Sequence, residues 1–129
     1  MRIAALLFLP LVLLGAQPVA PQAPTVVNVQ LANFSFTPKT IVLDHGKTYV
    51  LRLANVADGG HDFTARELFA ASAIVADDRR LVTEGEVEVP PGQVTEIHLT
   101  APRAAGNYHL KCSHSFHKMF GMSGSIVVR

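Results

Sequence analysis

The stretch KCSHSFHKMFGM, residues 111–122, holds the only cysteine of the chain, two of its six histidines and both methionines other than the first residue. Thiolate, imidazole and thioether are the side chains that bind soft and borderline transition metals. Cys112, His117 and Met122 follow one another at intervals of five residues. A loop of that length can fold back to bring all three around one point, with a fourth ligand supplied from elsewhere in the chain. His61, in GGHDF, is the candidate.

Such a donor set favours one metal. Two imidazoles, a thiolate and a thioether suit copper in both oxidation states, because soft sulfur favours Cu(I) and imidazole satisfies Cu(II). Structural zinc sites take four strong ligands, and methionine is a poor substitute for any of them. A binuclear copper centre needs two bridging cysteines, and a multicopper oxidase needs more than six histidines; this chain has one cysteine and six histidines. A cysteine nucleophile would sit beside a base in an open cleft, whereas a cysteine facing the core at a strand end has the placement of a ligand.

For these side chains to meet, strands must deliver them. In GNYHLKC, Tyr108, Leu110 and Cys112 share one strand face while His109 and Lys111 face the other way, which turns Cys112 toward the core. Extended structure resumes at Ser125 to Val128, so Cys112, His117 and Met122 lie on one loop between two strands. Most of the remaining chain alternates in the same way: Val27, Val29 and Leu31; Ile41 and Leu43; Tyr49, Leu51 and Leu53; Val87 and Val89; Ile97 and Leu99. Thr37 with Pro38, His45 with Gly46, Asp58 to Gly60, Pro90 to Gly92 and Pro102 to Gly106 are the turn signals between them. Many short strands so punctuated predict an all-β sandwich. Residues 65–76, rich in Ala, Leu and Glu and without alternation, predict one short helix inside a long crossover.

These residues together resemble the cupredoxins, small blue-copper proteins of the plastocyanin and azurin type. The resemblance rests on the Cys112, His117 and Met122 spacing followed by Gly124 and a last strand, and on Tyr108 four residues before the cysteine. It rests also on Asn55 followed at six residues by His61, and on the opening stretch FSFTPKTIVLDHGKTYVLRLAN. It implies a Greek-key β-sandwich holding one copper per chain, with His61, Cys112 and His117 as the trigonal plane and Met122 as the weak axial ligand. The implied role is one-electron transfer between redox partner proteins, with no enzymatic chemistry.

Two residues depart from the family pattern. Asp62 stands where an asparagine often follows the first histidine and ties the two ligand loops together; by resemblance it lies near Ser113, from whose hydroxyl or amide it can accept a hydrogen bond. His114, two residues after Cys112, makes a loop already holding His117 and Met119 richer still in copper-binding groups. That opens an alternative role in copper tolerance or delivery, with His114 and Met119 holding a second, weaker copper. His45, His98 and His109 read as solvent-facing.

The whole chain sets bounds on these readings. It has 129 residues, 49 % of them hydrophobic, and a formal net charge of +1 with no long basic run. That is one domain's worth of globular chain with no electrostatic footprint for nucleic acid or acidic lipid. The apolar run at residues 3–14, interrupted by Pro10, is short of the roughly 20 residues a bilayer requires and reads as a secretory signal peptide. Residues 1–23 are therefore expected to be the signal and a proline-rich start, with cleavage between Ala16 and Ala23, and residues 24–129 the cupredoxin domain. The mature protein is expected to be a soluble, exported monomer, periplasmic in a Gram-negative bacterium. In an oxidising compartment a lone cysteine is buried or committed as a ligand.

Overall fold

A computed structural model describes residues 12–114 and 121–129. His117 and Met119 lie outside the described residues, as does most of the apolar run at the start. Residues 12–24 have no regular structure, and Val12, Leu13, Leu14 and Val19 are exposed. Among the described residues no helix is long and apolar enough to cross a membrane.

Among the described residues, ten strands form two five-stranded sheets. The first contains β1 (Thr25–Ala32), β2 (Ser35–Thr37), β4 (Thr48–Asn55), β6 (Ala73–Ile74) and β8 (Val94–Thr100), in the order β2-β1-β4-β8-β6. The second contains β3 (Thr40–Leu43), β5 (His61–Thr64), β7 (Glu86–Val89), β9 (Gly106–Lys111) and β10 (Ser123–Val128), in the order β3-β10-β9-β5-β7. Parallel pairing joins β1 to β4 and β3 to β10; the other pairs are antiparallel. This is the all-β sandwich predicted from the alternation.

Inward-facing residues of both sheets build one core. Val29, Leu31, Leu51, Leu53, Ile97 and Leu99 come from the first sheet, and Ile41, Leu43, Phe63, Val87, Val89, Leu110, Ile126 and Val128 from the second. Phe63 packs edge-on against Phe36 and Phe69, with ring centroids 6.0 and 5.9 Å away. Burying each such side chain contributes about 1.5–3 kcal/mol, so β5, which carries His61, is anchored by Phe63 two residues away from that histidine.

The crossover after β5 differs in detail from its sequence pattern. Its helix, α1 (Arg66–Ala71), ends well before residue 76. Ser72 turns extended and its hydroxyl bonds the Leu68 carbonyl at 2.7 Å, while Ala73 and Ile74 pair with Thr100 and Leu99 of β8. An open sheet edge offered these residues backbone partners that a further helical turn would have forgone. A 3₁₀ turn, Ala76–Leu81, follows; its polar sequence carries no periodic signal.

Candidate metal centre

Cys112 follows directly on β9 and is fully buried. Its amide donates to the Met122 carbonyl at 3.0 Å, one step beyond the Lys111–Ser123 pair, so the β9–β10 ladder continues through both residues before the chains part. Met122 is likewise buried, at 1 % exposure. The ladder thus places two candidate ligands opposite each other at one end of the sandwich, on the loop between β9 and β10.

His61 opens β5 and reaches the same end. The preceding turn is shaped by Asn55, whose amide donates to the carbonyls of Gly59 at 2.8 Å and Val89 at 2.9 Å, and whose oxygen accepts from the Ala57 amide at 2.9 Å. A buried side chain that completes three backbone bonds holds a turn in one conformation. His61 is fully buried, and its Nδ1 lies 3.9 Å from the Cys112 sulfur. Its other nitrogen, Nε2, is 3.3 Å from Asn33 Oδ1. An amide oxygen is an acceptor, so this contact puts the proton on Nε2 and leaves the Nδ1 lone pair facing the sulfur.

These positions fit a shared metal. Bonds of ~2.3 Å to thiolate and ~2.0–2.1 Å to imidazole, at roughly 110–130° to one another, set the two donors about 3.5–3.9 Å apart. Fixing the second ring nitrogen by an outer partner is the usual support of a ligating histidine. Burial pushes the Cys112 thiol above its ordinary range, although backbone amides of Asp62 and His114 oppose the rise. The Asp62 amide donates to the sulfur at 3.5 Å. A thiol so placed gives up its proton to a metal rather than to solvent.

Asp62 joins the two segments. Its Oδ1 accepts from the Ser113 amide at 2.8 Å and the Thr64 hydroxyl at 2.7 Å, and its Oδ2 from the Ser113 hydroxyl at 2.5 Å. His114 lies against β7, with Nε2 3.1 Å from both carboxylate oxygens of Glu88. His61, Cys112, Met122, Asp62, Ser113 and His114 therefore gather at one end of the molecule. Asn33, Glu86 and Glu88 join them without having been signalled by the sequence. The glutamates alternate with core valines and read as ordinary outward residues, and only the strand order sets them beside the cysteine segment.

The chain matches the family model of a cupredoxin-like domain over residues 3–128. It belongs to that family. The cupredoxin fold is also that of solved structures with little sequence in common. An auracyanin of the photosynthetic bacterium Roseiflexus castenholzii superposes with a TM-score of 0.61 at 20 % identity, over 84 % of this chain and 99 % of that one. Auracyanin A of Chloroflexus aurantiacus, described as a "blue" copper protein, gives 0.58 at 17 % identity, over 83 % and 100 % of the two chains. A multicopper oxidase of Aquifex aeolicus gives 0.64 at 13 % identity, over 89 % of this cupredoxin but 31 % of the oxidase. No curated protein matches the chain by sequence.

Proposed function

We propose that this cupredoxin binds one copper through His61, Cys112, His117 and Met122 and serves as an exported one-electron carrier. The observation that carries the reading is the buried pair of Cys112 Sγ and His61 Nδ1, 3.9 Å apart, with the far side of the imidazole held by Asn33. When bound, the metal supplies a one-electron Cu(I)/Cu(II) couple. The chain's own residues supply the rest. A rigid sandwich fixes the donors so that little needs to move when the charge changes, the Asp62 amide withdraws charge from the sulfur, and burial keeps water from it. The description of auracyanin A as a copper protein agrees with this reading.

A role in copper tolerance or delivery would draw on His114 and Met119 as additional ligands. The engagement of His114 Nε2 by Glu88 at 3.1 Å favours the carrier instead. Protein purified from the exported fraction is expected to begin between Ala16 and Ala23, to hold one copper per chain under excess Cu(I), and to exchange electrons rapidly between oxidised and reduced copies. Two coppers per chain with slow exchange would transfer the function to copper handling.

A further inference from the structure

Glu86 and Glu88 lie on the face of β7 opposite to buried Val87 and Val89. In register Glu88 pairs with Asp62, and Glu86 with Thr64. Carboxylates directly opposite one another across a ladder repel, and such a pair is destabilising unless other groups offset it. Here the offset comes from the two residues after Cys112. His114 Nε2 is 3.1 Å from both Glu88 oxygens and 3.7 Å from Asp62 Oδ2. The one Ser113 hydroxyl proton is shared between Asp62 Oδ2, at 2.5 Å, and more weakly Glu86 Oε2, at 3.1 Å. Gly60 leaves the space for this packing, since a Cβ there would stand 3.0 Å from Glu88 Oε1 and 3.5 Å from His114 Cε1.

Asp62, Glu88 and His114 offer donor atoms within 4.8 Å of one another, an arrangement that could be taken for a cation site. The hydrogen bonds argue otherwise. Both Asp62 oxygens already accept from Ser113 or Thr64, and the His114 nitrogen in the group is the one bonded to Glu88. The cluster joins three segments: β5, β7 and the chain after the cysteine.

We propose that Glu86 and Glu88 are positioning residues for the metal centre. The edge strand β7 clamps Ser113 and His114 from outside the sandwich and so fixes the Cys112 sulfur relative to His61. The meaning of the clamp rests on the copper reading, but its existence is a property of the metal-free chain and is tested there.

The test is hydrogen exchange of the Ser113 amide in the metal-free protein, referenced to the Leu51 and Leu53 amides of the central strand β4 so that a global loss of stability is divided out. In Glu86→Ala/Glu88→Ala the Ser113 ratio is expected to rise about tenfold or more, whereas Glu86→Gln/Glu88→Gln, which keeps an acceptor oxygen at each position, is expected to stay within about threefold of the parent. After copper loading the alanine pair should shift the visible thiolate band and the glutamine pair should restore it. The glutamine pair should also raise the Cu(I) over Cu(II) affinity ratio about threefold, or roughly 30 mV at 59 mV per tenfold. An unchanged Ser113 ratio in the alanine pair overturns the proposal, as does a glutamine pair as impaired as the alanine pair. Absence of the band from the parent protein would defeat the copper reading while leaving the exchange result to decide the clamp.

Discussion

Asp62 places a carboxylate beside His61, with its oxygens accepting from the Ser113 amide and hydroxyl. An asparagine could make one of these bonds with its oxygen while removing the negative charge. A unit charge ~7 Å away at an effective dielectric of ~20 is worth roughly 2 kcal/mol, and solvent screening leaves a fraction of that. Asp62→Asn is therefore expected to raise the reduction potential by some tens of millivolts, as measured by voltammetry of the copper-loaded protein at neutral pH; no shift would mean that the charge is screened from the metal. Asn33 acts on His61 itself. Without its oxygen 3.3 Å from His61 Nε2 the imidazole can turn or change tautomer, so Asn33→Ala is expected to weaken copper binding about 10–100-fold in competition with a chelator. The Asp62–Ser113 contact was legible because both residues flank candidate ligands. Asn33 was not, since it lies in the turn between β1 and β2 and meets His61 only through the packing of the two sheets.

At the scale of elements, alternation located the long strands well, because residues such as Val29, Leu31, Leu51 and Leu53 must face the core. The crossover after β5 was harder to read. Its helix has six residues and no side-chain N-cap, too short to stand without the buried Leu68 and Phe69. Beyond it the chain is held to β8 by Asp78, whose Oδ2 accepts from the His98 amide at 2.7 Å and lies 2.8 Å from His98 Nδ1. His98, solvent-facing by its sequence pattern, is in fact half-exposed and holds the 3₁₀ turn in place. Burial pushes the Asp78 carboxyl up, but the His98 amide and ring outweigh it and hold the group below its ordinary value. A lowered folded-state value means stability that is present above the ordinary carboxyl range and is lost as the pH falls through the lowered value. Asp78→Asn is thus expected to cost about 1.5–3 kcal/mol in urea unfolding at pH 7, with the deficit shrinking as the pH is taken below 3.8. A deficit that stays constant with pH would assign the effect to shape instead of charge.

For the molecule as a whole, two sheets and one core bring β5 and the β9–β10 loop to the same end, so that residues 51 positions apart in sequence, His61 and Cys112, stand 3.9 Å apart. The sandwich and its family were legible because alternation, turn residues and the spacing of Cys112, His117 and Met122 all agree. Strand order was not, and with it went the clamp on β7: Glu86 and Glu88 acquire their neighbours only from the pairing of β7 with β5. The proposed centre requires Cys112 and His61 to hold copper in common. Its most direct test is copper titration of the protein, followed by visible absorption and metal counting and repeated on Cys112→Ser. An intense thiolate-to-copper band is expected, saturating at one copper per chain and absent from the serine variant. A band that persists without the thiol, or tight copper binding with no such band in the parent protein, would contradict it.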